Sequence, residues 1–309
     1  MQMHRRHFLD QLPLPMQQHW LYGRALSAMG RSVGQISFGN DAAAPLGHAQ
    51  WVERRFGPLR LRWLGRGPVW AKSVPTQYRR DTVASQIAAS PPLTGWLISP
   101  AHPDDLPRSS AIRLTAPGAD YALALSDKPD DMLAAMHGKW RNRLRRAQRD
   151  DLPLHHRAFD PLRDKPLLEL ENLQRTARGY TALPAAFTLG WARAAPRTAR
   201  LFLAGDPSDP LAFMLVLRHG TAASYHLGWS GPRGRQLSAH NLLLWSAMTH
   251  LAATGTTTLS LGPTSPRHPA GLHRFKTGTG AQIRRIEPTY LLGRRPSMLL
   301  PLAFRRHPV

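Results

Sequence analysis

Cysteine is absent from the 309 residues, which excludes disulfides, a thiolate nucleophile and cysteine-ligated zinc and fits a reducing, cytoplasmic setting. Acidic residues are scarce. Nineteen Asp and Glu stand against 41 Lys and Arg, a formal charge of +22, so the expected partner is a polyanion: a nucleic acid, a nucleotide-like donor or an anionic membrane surface. No apolar run approaches the roughly 18 residues of a membrane span. The opening MQMHRRHFLDQLPLP carries charge without an apolar centre or small-residue cleavage site, and is not expected to be a secretory leader. The 15 histidines show no HExxH-like spacing, and the pair His155-His156 reads as surface, so no metal is expected. RNA-recognition aromatic motifs and low-complexity basic tails are missing too, and no DNA-binding module is visible. The 42% hydrophobic content suffices to bury cores in one large domain or two ordinary ones.

The stretch that stands out is LAAMHGKWRNRLRRAQRDDLP, residues 133–153. Leu133, Met136, Trp140, Leu144 and Ala147 recur at helical spacing, while Lys139, Arg141, Arg143, Arg145, Arg146 and Arg149 crowd the remaining arc. Ser126, Asp127, Asp130 and Asp131 mark the start and Pro153 the end, so one basic helix is expected, with an apolar face for a core and a cationic face for either solvent or an anion.

Ahead of it, QQHWLYGRALSAMG predicts a helix ending at Gly30. Strands follow at 32–38, 50–55 and 59–64, a turn at GRGPVW, a helix over 75–89, a buried strand in GWLISP and two more in AIRLTA and YALALS. Behind it come a strand in LPLHHRAF, a helix over 165–176, strands at 199–204, 211–218 and 222–228, a helix over 238–254 capped by Ser238, a strand at 256–261, the loop GPTSPRHPAGL and a closing strand over 281–292. Two α/β halves emerge, residues 1–125 and 126–309, each of mixed, mostly antiparallel strands flanked by helices. The tail LLGRRPSMLLPLAFRRHPV pairs arginines with apolar clusters; it reads as a strand and a frayed end, or as a peripheral contact with an anionic membrane.

Four stretches together resemble the FemAB-like branch of the Gcn5-related N-acyltransferase (GNAT) superfamily. QQHWLYGRALSAMG is similar to the family's opening Q-x-x-W helix and GRGPVW to its RGP turn. MHGKWRNRLRRAQ is similar to its K-x-R-x-x-x-R-x-A helix, and GLHRFKTGTGA to its G-L-x-x-F-K-x-x-x-G loop. Many relatives carry D-L-G where this chain has Ser260-Leu261-Gly262, and the coiled-coil insertion of some members is missing. The resemblance implies two tandem GNAT-like acyltransferase subdomains and an enzyme that forms an amide on an amine acceptor such as a cell-envelope precursor.

Such a reaction needs a carbonyl held beside the amine, stabilisation of an oxyanion and a route for a proton. Lys276 is the first candidate for charge stabilisation, on a glycine-bearing loop from Gly271 to Gly280 with Phe275 as anchor. His226 and Tyr225 alternate on a strand, and one of them is expected to face the site, His226 with a near-neutral pKa. Gly271, Phe275 and Trp229, with Trp70 and Arg66 of the GRGPVW turn, are the candidate substrate contacts. Lys139, Arg141, Arg145, Arg149, Arg233, Arg235, His240 and Asn241 are the candidate donor phosphate contacts, the last two at a helix N-terminus. Arg235 to His240 lacks the glycines of a CoA-cradling loop. Aminoacyl-tRNA is therefore the favoured donor and acyl-CoA or an acyl carrier protein the alternative, with no tightly bound cofactor. A non-catalytic RNA- or membrane-binding protein is the reading of another class.

Overall fold

A buried glutamine ties the first strands to the turn that follows them. Gln18 donates through Nε2 to the carbonyls of Gln50 (3.1 Å) and Gly65 (2.8 Å) and accepts from the Gln50 N–H (2.9 Å), so its amide replaces backbone pairing where strands part. A Cβ on Gly67 would lie 2.5 Å from Gln18 Cδ, which makes the Q-x-x-W and RGP stretches one interlocked device. The computed structural model describes residues 9–10, 13–39, 45–107, 111–264 and 270–293.

The first unit runs to Gly118 and resumes at Arg285. It holds α1 (Trp20–Ala28), β1 (Ser32–Phe38), β2 (Gly47–Phe56), β3 (Leu59–Gly65), β4 (Val69–Trp70), α2 (Thr76–Ala88), β5 (Thr94–Ser99) and β6 (Ile112–Arg113). The second unit, Ala119–Arg284, contains α3 (Pro129–Ala135), α4 (Gly138–Arg149), β8 (Leu154–Ala158), α5 (Lys165–Arg178), α6 (Ala185–Ala194), β9 (Ala199–Asp206), β10 (Asp209–His219) and β11 (Ala222–Ser230). It continues through α7 (Pro232–Gln236), α8 (Ala239–Ala253), β12 (Thr258–Pro263) and α9 (Ala270–Thr277). Strands β7 (Gly118–Ala124) and β13 (Gln282–Ile286) span its two boundaries, and β14 (Tyr290–Leu292) belongs to the first unit.

Each unit is built on one mixed sheet. The first has the order β1-β2-β3-β5-β14-β6 with β4 beside β2, and the second β13-β7-β12-β11-β10-β9-β8. In each, an antiparallel meander (β1-β2-β3, β9-β10-β11) leads through a helix (α2, α8) to a strand lying parallel to the last one (β5, β12). A helix precedes each meander, α1 in one case and α6 in the other. The two halves expected from the sequence are therefore a tandem repeat of one α/β unit. The chain crosses between units twice, at Gly118/Ala119 and Arg284/Arg285, whereas the sequence reading put one boundary at 125/126; β7 pairs with β12 and β14 with β5.

Three local expectations need correction. The central basic helix is two, α3 and α4, broken at Met136-His137, where the His137 N–H donates to the Gly278 carbonyl (2.9 Å) instead of continuing the helix. The FK-bearing loop is helix α9 from Ala270 to Thr277. The closing strand over 281–292 is two strands, β13 and β14, in different sheets. Helix α6, with Phe187 and Trp191 fully buried, lies in a stretch with no earlier assignment. The tail beyond Gly293, the opening residues 1–8 and 265–269 of the GPTSPRHPAGL loop fall outside the described residues. Among those described, no helix is long and apolar enough to cross a membrane and no group of three metal-ligating side chains is gathered.

Candidate active site

Helix α9 turns its last residues inward against α3 and α4. Gly278 and Gly280 permit this: a Cβ on the first would meet the Arg274 carbonyl oxygen at 2.8 Å and Trp140 at 2.9 Å, and Gly280 holds φ +87° with the Ala135 carbonyl oxygen 2.8 Å from where its Cβ would be. Gly271 faces open space and serves neither purpose. Phe275 then lies between Trp140 of α4 (ring centroids 6.1 Å apart) and His240 of α8 (6.0 Å). Lys276 is 7% exposed and rests its Nζ over the Tyr121 ring at 5.1 Å; Tyr121 Oη in turn lies 2.6 Å from His273 Nδ1. Among the described residues no carboxylate pairs with Lys276, and burial lowers its pKa to about 8. Gly262, at φ +84°, approaches the same ammonium: its Cβ would lie 3.7 Å from Nζ. Ser260, in the place of the family's aspartate, accepts the Gly262 N–H through Oγ at 3.2 Å.

Strand β11 supplies the second half of the site. It pairs with β12 only over Ala222–Ser224, and its register with β10 passes from Leu227 to Tyr225, leaving His226 as the extra residue of a bulge. Tyr225 and His226 consequently address different helices. Tyr225 Oη meets His240 Nε2 at 3.0 Å, and His226 Nε2 meets Thr188 Oγ1 of α6 at 2.8 Å. Burial lowers both imidazoles to about 4, Arg178 adding to the effect on His240, so both are neutral at physiological pH; the near-neutral value expected for His226 is overturned by its enclosure. Burial raises the Tyr225 phenol, which keeps its proton. Gly228 makes the Tyr225–His240 contact feasible, since its Cβ would fall 2.0 Å from Tyr225 Oη and 2.8 Å from His240 Nε2. Its carbonyl accepts from Gln174 Nε2 (3.1 Å), beside Tyr180, whose hydroxyl donates to buried Glu171 (3.0 Å).

The phosphate candidates divide. Lys139, Arg143, Arg145 and Arg149 are exposed and, among the described residues, pair with no carboxylate. Arg141 instead reaches the Leu133 carbonyl at the end of α3 (3.5 Å), and Arg146 the Gln236 carbonyl of α7 (3.2 Å). Arg233 and Arg235 are exposed on α7, bonded to Gln236 Oε1 (3.4 Å) and the Ser230 carbonyl. These arginines flank the N-terminus of α8, where Ser238 takes a left-handed backbone (φ 53°) and its side chain makes no cap bond. His240 turns to Tyr225 rather than outward, while Asn241 is 5% exposed with Nδ2 unpartnered. Trp229 stacks on Phe213 at 6.1 Å. Arg66 (φ 56°) and Trp70, which stacks on Phe38 at 4.8 Å, belong to the first unit. Tyr121, His273, Thr188 and Gly228 escaped the sequence reading: Tyr121 meets His273 and Thr188 meets His226 across long stretches of chain, and the closeness of Gly228 to Tyr225 and His240 is set by the packing of β11 on α8. Gly262 is legible in the sequence only as part of S-L-G.

Residues 135–277 match the family model described as an acetyltransferase (GNAT) domain. No curated protein sequence matches the chain. Among solved structures, the chain is similar to FemX, at 14% identity over 98% of each chain with TM-score 0.80. It is also similar to the C-terminal domain of a protein from Agrobacterium fabrum assigned as a lysylphosphatidylglycerol synthetase (16% identity, 93% of this chain and 91% of that one, TM-score 0.54). A conserved protein of unknown function from Bacteroides thetaiotaomicron follows at 11% identity, 94% and 96% coverage and TM-score 0.59. The match to an acetyltransferase (GNAT) domain is confined to residues 135–277, within the second unit and its helix α9. Over its whole length the chain shares the fold of FemX.

Proposed function

We propose that the second unit carries the transfer centre and that the chain moves an aminoacyl or acyl group from an anionic donor to an amine, with aminoacyl-tRNA the favoured donor and a cell-envelope precursor the acceptor class. The observation that carries this reading is Lys276: a buried cation with no counter-charge among the described residues, held by α9 beside a glycine, is costly to keep in a fold unless a developing negative charge uses it. The acceptor nitrogen attacks the donor carbonyl carbon, a C–N bond forms as the ester C–O bond breaks, and the nitrogen loses a proton while the leaving hydroxyl oxygen gains one. Lys276 stabilises the intermediate oxyanion or a donor phosphate. Neutral His226, at the bulge, is the candidate acceptor of the proton, although an amine that arrives unprotonated needs no dedicated base. Exposed arginines of α4 and α7 near the α8 N-terminus, for which no carboxylate partner is found among the described residues, supply the donor's phosphate handle.

An acyl-CoA donor is the second reading, favoured by the match to an acetyltransferase model and by the start of α8, where the Ser238 side chain makes no cap bond. Comparing tRNA and CoA binding at roughly 150 mM salt, where weak charge attraction is screened, separates the two. Lys276→Ala should reduce turnover by a hundredfold or more while donor affinity is largely kept. Unchanged turnover in a folded Lys276→Ala protein would remove Lys276 from the chemistry, and a wild-type chain that turns over neither donor would leave an RNA- or membrane-binding reading.

A further inference from the structure

The helix-covered face of the second sheet carries another cationic group, unused by the transfer chemistry. On edge strand β8, exposed His156 stands opposite Phe202 of β9, and its ring lies 4.5 Å from that of His250 near the end of α8. Phe202, 1% exposed, backs both imidazoles at 5.9 Å. Arg200 lies two residues before Phe202 on the same face, opposite Val216, and Arg218 follows two residues after Val216 on β10. Arg218 Nη2 donates to the Thr254 carbonyl at the C-terminal end of α8 (2.8 Å), which accounts for one of the four groups. Among the described residues no hydrogen-bond partner is found for Arg200 Nε, which is buried. Burial, then Arg200, His156 and Arg218, all oppose a charge on His250, and among the described residues no carboxylate offsets them. Basic groups gathered without a counter-ion repel one another unless an anion joins them.

We propose that His156, Arg200, Arg218 and His250 form a second phosphate subsite, at the end of α8 opposite the donor's helix start, and that it holds a phosphodiester of an RNA donor. The RNA assignment rests on the aminoacyl-tRNA reading above. Helix α8 has 15 residues and so is about 22 Å long. A donor whose phosphates lie together fills one end of it, whereas phosphates recurring along a strand reach both. Neighbouring imidazole and guanidinium planes also suit unpaired bases beside those phosphates.

The test follows the imidazole NMR resonances of His156 and His250 as inorganic phosphate is added, and the binding of bulk tRNA to the wild-type chain, to Arg200→Gln/Arg218→Gln and to His156→Ala, which alters an exposed side chain and serves if the double variant fails to fold. The subsite predicts saturable shifts of both histidines, tRNA affinity lowered about tenfold or more in the double variant and detectably in His156→Ala, and a salt slope reduced by about 2, with CoA affinity unchanged. Absence of shifts at millimolar phosphate overturns the subsite. Shifts with tRNA affinity unaltered in the folded variants overturn the RNA assignment, and variant-specific loss of binding to phosphatidylglycerol vesicles would transfer the subsite to a lipid headgroup. A wild-type chain that shows the shifts yet does not bind tRNA overturns the donor reading while the phosphate subsite stands.

Discussion

Lys276 is the residue at which stability and function pull apart. Its ammonium is buried over Tyr121 with no carboxylate beside it among the described residues, and its pKa falls to about 8 from an ordinary value of 10.5. Below pH 8 folded and unfolded chains both hold the proton, and the fold bears the full penalty of the buried charge. Between pH 8 and 10.5 the unfolded chain binds more protons than the folded one, so this group's contribution to stability rises with pH. Lys276→Met should therefore melt no lower than wild type at pH 7, and calorimetry checks it; a large drop in Tm would mean that the lysine is structural. The turnover of wild type should decline as pH passes about 8, where the cation is lost, and a rate flat to pH 9.5 would disconnect Lys276 from the chemistry. His226 and His240 give the acid side. Folded values of about 4 against 6.5 unfolded make stability fall as pH drops through that window, which acid titration of circular dichroism will report.

At the scale of elements, the site depends on strands and helices brought closer than side chains normally allow. Tyr225 can reach His240 across β11 and α8 because Gly228 has no Cβ. Gly228→Ala should displace Tyr225 and sharply reduce turnover, whereas Gly271→Ala, in open space within α9, should raise stability by about 0.5–1 kcal/mol through helix propensity. Denaturant melts and initial rates on both variants decide this; equal effects would show that Gly228 is merely tolerated. Gly280 marks the weld of α9 to α3, and Gly280→Ala should destabilise by about 1–3 kcal/mol, because a side chain there meets both an unfavourable φ and the Ala135 carbonyl.

For the whole molecule, a charge of +22 concentrates long-range attraction onto whatever polyanion the chain serves. Exposed Arg145 and Arg149 of α4 lie on that field and, among the described residues, form no ion pair, although Asp150 and Asp151 follow Arg149 in the chain. Arg145→Glu/Arg149→Glu should raise the KM for donor about tenfold or more and flatten its salt dependence, while kcat at saturating donor stays near wild type. A fall in kcat with unchanged KM would place these arginines in the chemistry rather than in capture.

The apolar stripe Met136, Trp140, Leu144 and Ala147 was legible because spacing reports which side of a helix is dry, and all four are buried. The charge imbalance, the two α/β halves and the motif order were equally local or additive properties, open to reading residue by residue. The break at Met136-His137 was not, since it depends on a carbonyl supplied by Gly278, more than a hundred residues on. Nor was the meeting of Tyr121 with His273, or the return of β14 to the first sheet, for pairing across such separations leaves no periodic trace. Lys276 itself could be singled out by its motif. That it is a buried, unpaired cation with a lowered pKa was decided only by tertiary structure, because desolvation depends on what surrounds a group in space and not on what adjoins it in the chain.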